Sequence, residues 1–361
     1  VVTEDQTQHK SLTMTVLATP DMVNFAGNVH GGATLELLEQ VAYACASRYS
    51  GCYVITISVD QVTFLQRIHV GELMTFIASV NYTGVTSLEV GVRVIAENIR
   101  ERASRHVMTC YFTMVTVNED GTPTKVPTIT VQTPDEKRRW DAAALRRELQ
   151  KEIEQRSLEI RQNPESLASE ADSKELSPPT VEGDTPPSPP QHKSLVMTVL
   201  ATPDTVSFSG NVSAGWILDL LDQVAYACAS RYSGCYVLTV SVDHVVFMQR
   251  IRVGELVTFH ASVNSTGRTS MEVGIRVVAE NIRERTSRHV MTCYFTMVAV
   301  DDQSKPTPVP PLVVETATEQ RRWAAAGVRR EFRKEVDRRM QEIRQNPELA
   351  ASAESEEGGA T

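Results

Sequence analysis

The chain has 361 residues, of which 41% are hydrophobic and 22% charged, and its formal net charge is -9. That length accommodates two ordinary domains, each able to bury its own core. The acidic balance argues against non-specific nucleic-acid binding, and no apolar run approaches the roughly 20 residues of a membrane helix, so neither nucleic acid nor membrane is an expected partner.

From the N-terminus, "KSLTMTVLAT" alternates and predicts a first strand. A long apolar helix is predicted over about 31–49, with Gly51 as its C-cap. Its Ala42, Ala44 and Ala46, with apolar residues on nearly every side, predict burial all round. Four strand-like runs follow: "YVITISVD", "GELMTFIASVNYTG", "TSLEVGVRVIAEN" and "RHVMTCYFTMVTV", with Gly71 and Gly84 as turn residues. A second, highly charged helix is predicted over about 134–162, with one Trp–Leu–Ile face packed and the rest solvated.

The same series then recurs. "YACASRYSGCYV" occurs at 43–54 and 226–237, and "SRHVMTCYFTMV" at 104–115 and 287–298, each pair offset by 183 residues. Trp140 matches Trp323 at the same offset. A repeat this long is a duplicated domain rather than a solenoid unit. The Pro-, Ser- and acid-rich "SPPTVEGDTPPSPP" cannot pack a core and marks the joint. The expected organisation is a first domain with its C-terminal helix over 1–164, a linker over 165–190, a second domain over 191–347 and a disordered tail over 348–361. The fold class is α+β, with an antiparallel sheet wrapped around a buried helix in each repeat and edge strands free to pair with a second copy. Cys45, Cys52, Cys110, Cys228, Cys235 and Cys293 fall three per repeat without C-x-x-C spacing, and read as small buried hydrophobes of a reducing compartment.

The two copies differ where the first helix begins. Repeat 1 reads "NVHGGATLELLEQ" from Asn28, and repeat 2 reads "NVSAGWILDLLDQ" from Asn211. His30 corresponds to Ser213, Gly31 to Ala214 and Glu39 to Asp222. Glycines at a helix start let a ligand approach backbone N–H groups that carry the positive end of the dipole. Such an end can hold a developing oxyanion, although a tight turn with no chemistry would look the same. The carboxylates Glu39 and Asp222 lie roughly 10 Å further along their helices, beyond reach of their own loops. Two such helices packed antiparallel about a pseudo-twofold axis would bring each loop to the other helix's acid. A carboxylate on an apolar helix needs a partner or a task, and a buried acid satisfied by backbone donors is the plainer reading.

At these residues the sequence resembles a known family. "GNVHGGATLELLEQVA" and "AGWILDLLDQVA" resemble the helix motif of hotdog-fold acyl-CoA thioesterases of the acyl-coenzyme A hydrolase branch, which includes tandem double-hotdog members. "ISVDQVTFLQRIHVGE" and "TSLEVGVRVIAEN", with their second copies, resemble the strand motifs that follow. The resemblance covers nearly all of both repeats. It implies two hotdog domains, hydrolysis of acyl-CoA to a fatty acid and free CoA, and six hotdogs assembled as a homotrimer of two-repeat chains. Asn28, His30, Gly31 and Gly32 match the loop half of the family motif, and Asp222 matches its helix Asp. Glu39, Ser213 and Ala214 depart from the motif, while Asn211 and Gly215 keep it.

The expected site therefore has Asp222 as general base for water, or alternatively as nucleophile. Asn28 orients water or thioester, the Gly31 and Gly32 amides polarise the carbonyl, and His30 shapes the loop. A second site of Glu39, Asn211 and Gly215 is expected to be weak or dead, with Trp216 crowding its mouth. No cofactor and no metal are expected; CoA enters as part of the substrate and product. Arg67, Arg93, Arg250, Arg268 and Arg276 are candidates for the CoA phosphates, and Thr86, Ser87, Thr269 and Ser270 for the CoA arm, against solvated-surface and strand-capping alternatives. The expected location is the cytoplasm, or an organelle matrix where a targeting segment has been removed ahead of Val1. Rival readings are a hotdog hydratase pairing His30 with Asp222, and an acyl-CoA-binding protein without turnover.

Overall fold

The structure is a computed structural model that describes residues 9–24, 27–162, 192–207 and 210–345. The segment expected as linker and the expected tail lie outside the described residues. Half 1 runs β1 (Ser11–Leu17), α1 (Gly31–Ser50), β2 (Tyr53–Val59), β3 (Val62–Thr63), β4 (Leu73–Thr83), β5 (Ser87–Asn98), β6 (Ala103–Val117) and α2 (Pro134–Gln162). Half 2 repeats it as β7 (Ser194–Leu200), α3 (Ala214–Ser233), β8 (Tyr236–Val242), β9 (Val245–Val246), β10 (Leu256–Thr266), β11 (Ser270–Asn281), β12 (Thr286–Val300) and α4 (Ala317–Gln345).

Why α1 sits inside its sheet follows from its composition. Leu35, Leu38, Val41, Ala42 and Ala46 are each fully buried, so the helix has apolar surface over most of its circumference. The chain leaves it at Gly51, whose φ of 68° is the left-handed geometry a C-cap requires and whose N–H donates to the Ser47 carbonyl at 2.8 Å. The strands alternate around it, and Phe76, Phe112, Phe259 and Phe295 close the core.

Each sheet has six antiparallel strands, in the orders β1-β4-β5-β6-β2-β9 and β3-β8-β12-β11-β10-β7. The last strand of each is borrowed. β9 of half 2 pairs with β2 through Ser58↔Val246 and Val59↔Val245, and β3 of half 1 pairs with β8 through Val62↔Val242 and Thr63↔Ser241. The edge strands thus find their second copy within the same chain, which removes two exposed edges. α1 and α3 pack against one another across the same interface.

The C-terminal helices depart from the expectation that only an apolar face is covered. Trp140 does pack on the core, but Arg146 is buried as well, donating from Nε to Glu89 of β5 at 3.1 Å with its guanidinium 3.7 Å from the Tyr111 ring centre. Arg329 of α4 repeats this with Glu272 and Tyr294. An arginine can be buried where a carboxylate meets its fork and a ring meets its face, and a charge pattern read along one helix does not contain the carboxylate on the sheet. Arg339 of α4 also reaches Glu152 of α2 at 2.6 Å, tying the two halves together. Among the described residues no helix is long and apolar enough to cross a membrane.

Candidate active site

The loop ahead of α1 is held rigidly by backbone bonds. Asn28 N–H donates to Asn24 Oδ1 at 3.1 Å, Asn24 N–H to the Asn28 carbonyl at 2.7 Å, Val29 N–H to Ile68 at 2.9 Å and His30 N–H to Met22 at 2.8 Å. Half 2 keeps the scaffold: Ser207 N–H donates to Asn211, Val212 N–H to Ile251 and Ser213 N–H to Thr205. The duplication therefore preserved the backbone support and altered the groups it presents.

α1 and α3 run antiparallel, because the first turn of each meets the second turn of the other. A Cβ on Gly31 would lie 2.9 Å from Asp222 Oδ2, and one on Gly32 would lie 2.9 Å from the Asp219 Cα. Glycine is required here for close helix–helix approach rather than for unusual backbone angles. Through that approach Gly32 N–H donates to Asp222 Oδ2 at 2.6 Å, and His30 Nδ1 lies 2.9 Å from the same oxygen. Thr239 Oγ1 of β8 donates to Asp222 Oδ1 at 2.5 Å. Asp222 is 1% exposed, so three donors satisfy a carboxylate that has left water.

His30 Nδ1 is also 3.2 Å from Gly32 N, a distance at which the ring would accept from that amide. One nitrogen cannot accept from Gly32 and donate to Asp222 together. The Gly32 amide is closer to Asp222, so Nδ1 carries the proton and donates to the carboxylate. Burial of the ring opposes its charge, but the hydrogen bond and charge of Asp222, with Asp219 behind it, outweigh burial and raise the His30 pKa above its ordinary 6.5.

His30, Gly31, Asp222 and Thr239 line a cavity of about 340 Å³ with Asn28, Tyr226 and Arg67. Its pseudo-symmetric counterpart is about 170 Å³ and contains Glu39, Asn211, Thr56 and Ala214. There Thr56 Oγ1 donates to Glu39 Oε1 at 2.8 Å, Ser213 Oγ stands 3.5 Å from Oε2, and the Gly215 amide also bonds the carboxyl. Burial dominates and pushes the Glu39 pKa up, against those hydrogen bonds. Ile217 lines this cavity at the position Thr34 holds in the larger one. Trp216, expected to crowd the mouth, is partly buried against the core.

The Thioesterase superfamily model matches residues 26–103 and again 209–286. Protein VdlD of Helicobacter pylori is 46% identical over 147 residues, an alignment that covers 41% of this chain and 84% of that protein. The chain belongs to the thioesterase superfamily. The cytosolic acyl coenzyme A thioester hydrolase of Mus musculus is 28% identical over 329 residues, covering 86% of this thioesterase and 80% of the mouse protein. A solved Lactobacillus plantarum structure, assigned as an oleoyl thioesterase, superposes with a TM-score of 0.51 over 81% of this chain and 97% of its own at 8% identity, a likeness of fold alone.

The remaining candidates of the thioesterase divide. Arg67 and Arg250 line the larger and smaller cavity, and both are tethered across the interface, Arg67 to the Ser304 carbonyl at 2.7 Å and Arg250 to the Gly121 carbonyl at 3.1 Å. Thr86, Ser87, Arg268, Thr269 and Ser270 line neither cavity. They sit at the β4–β5 and β10–β11 turns, where the Ser87 and Ser270 carbonyls accept from Gly84 and Gly267, and Thr86 and Thr269 accept from Thr116 and Ala299. Arg93 and Arg276 lie mid-strand on β5 and β11, also outside both cavities. Thr239 and Thr56 were not among the sequence candidates. One Thr in a β-rich run carries no signal until the fold lays β2 and β8 beside the helix acids.

Proposed function

We infer that this thioesterase hydrolyses fatty acyl-CoA to free fatty acid and CoA, mainly at one composite site built by the loop of half 1 and the helix acid of half 2. The observation that carries this reading is Asp222 accepting from Gly32 N–H and facing His30 inside the larger cavity. The mouse relative named as an acyl coenzyme A thioester hydrolase, which aligns across both halves, supports the substrate class.

In the mechanism we propose, Asp222 takes a proton from water as it attacks the thioester carbonyl, and that proton passes to the departing CoA thiolate. Asn28, fixed by Asn24, orients the water or the thioester. The Gly32 amide is already committed to Asp222, which leaves the Gly31 amide at the positive end of α1 to stabilise the oxyanion. His30 holds Asp222 in place through Nδ1. The smaller cavity at Glu39, with Ala214 and Ile217 in its lining, supports a weak second site.

The decisive experiment is free-thiol release from palmitoyl-CoA by two variants. Asp222→Asn should lower kcat by about 10³-fold or more, and Glu39→Gln should leave it within about threefold. The reverse order would exchange the roles of the two sites. The His30–Asp222 contact is also the pair a hotdog hydratase would use, so crotonyl-CoA hydration must be assayed alongside; hydration without thiol release would favour that reading. Saturable binding without either activity would mark a binding protein. The assembly we propose is a trimer of two-repeat chains, checked by light scattering as three times the chain mass.

A further inference from the structure

We propose that the groove between the start of α4 and strands β10 to β12 is a binding site for a phosphate-bearing ligand. The groove has a volume of about 530 Å³. Arg276 of β11, which pairs in register with His260 on β10 and with Thr292 on β12, forms one wall. Arg321 and Arg322 of α4 form the other, with Thr318 in the first helical turn.

Among the described residues, no acidic side chain lines this groove. Among the described residues, His260, Arg276, Arg321 and Arg322 have no carboxylate partner; the contact that Arg321 makes is with Thr318 Oγ1 at 3.5 Å. The nearby acids are spent elsewhere. Glu315 and Glu319 hold Lys193, and Glu272 holds Arg329 and Arg333. Three arginines gathered without a counter-charge repel one another, and they do so on a chain whose net charge is -9. Guanidinium forks and hydroxyls together match the geometry of phosphate oxygens.

The duplication supplies an internal comparison. In half 1 the positions of His260 and Thr318 hold Ile77 and Asp135, and Asp135 pairs with Arg138 at 3.1 Å. Half 2 has therefore gained an imidazole and lost an acid at the same groove while keeping Arg276, Arg321 and Arg322 in register with Arg93, Arg138 and Arg139.

The test is calorimetric titration of the full chain with inorganic pyrophosphate and, separately, with adenosine 3′,5′-bisphosphate. Saturable binding that weakens with salt is expected, reduced about tenfold or more in Arg321→Ala/Arg322→Ala and in His260→Ile/Thr318→Asp, which restores the half 1 residues. Because those residues already serve the same fold in half 1, loss of binding in the second variant with an unchanged melting temperature is specific to the groove. Should the arginine variant also raise KM for acyl-CoA without changing kcat, the phosphate is that of the substrate's own nucleotide. An unchanged KM with lost pyrophosphate binding assigns a free phosphorylated ligand. The proposal fails if neither probe binds saturably at about millimolar concentration, or if both variants bind as the parent does.

Discussion

At the scale of single residues, the two carboxylates differ less in identity than in what surrounds them. Asp222 is held by an amide, an imidazole and a hydroxyl, whereas Glu39 has a longer side chain, a neutral Ser213 in place of histidine, and a raised pKa. Thr239→Val keeps the shape of the side chain and removes one charge-assisted hydrogen bond, so kcat should fall roughly 10- to 100-fold with the fold intact. The equivalent Thr56→Val should change turnover by less than about twofold, and measuring both on acyl-CoA decides whether the two sites are inequivalent. His30 gives a pH signature. Its folded pKa lies above 6.5, so the stability it contributes is complete below that ordinary value and is lost as pH rises through the folded value. Melting temperature followed from pH 5.5 to 8.5 should decline more steeply for the parent than for His30→Gln; parallel curves would contradict the His30–Asp222 pair.

Helix by helix, the site depends on how closely α1 and α3 approach. Gly32 meets the Asp219 backbone, which cannot move away without shifting α3, while the Cβ of a residue replacing Gly215 would meet Glu36 and Glu39 atoms at 3.2 Å. Gly32→Ala should therefore destabilise by about 1–3 kcal/mol and separate Asp222 from its amide, and Gly215→Ala should cost less. Thermal melts of the two variants check the order. The helices themselves were legible in the sequence: "about 31–49" and "about 134–162" became Gly31–Ser50 and Pro134–Gln162 because apolar spacing and the Gly51 cap are local signals. The buried Arg146 was not legible, since its partner Glu89 lies 57 residues away on a strand.

At the scale of the whole molecule, the borrowed strands β3 and β9 make each sheet incomplete without the other half. Half 1 alone would carry the loop with only Glu39 to face it, and half 2 alone would carry Asp222 facing Ser213 and Ala214. Each half produced separately should be essentially inactive on acyl-CoA, and co-expression of the two should restore turnover to within about tenfold of the intact chain. Full activity from half 2 alone would show that Asp222 needs no loop from half 1. On the proposed reading, one copy of the loop and one copy of the acid suffice for one complete site.

By itself, the sequence determined the duplication, the element order and the family, because repeats, hydrophobic period and clustered motifs are properties of short stretches read in line. It also named Asn28, His30, Gly31, Gly32 and Asp222 as a set, and helical rise put each acid beyond reach of its own loop, which antiparallel packing of the two helices could overcome. Only the tertiary structure decided that Asp222 takes the Gly32 amide, that Thr239 is its third donor and that Thr86, Ser87, Arg268, Thr269 and Ser270 sit at turns away from the cavity. Those facts depend on distances between segments far apart in the chain, set by helix packing and by strands exchanged across the pseudo-twofold, which no local pattern encodes.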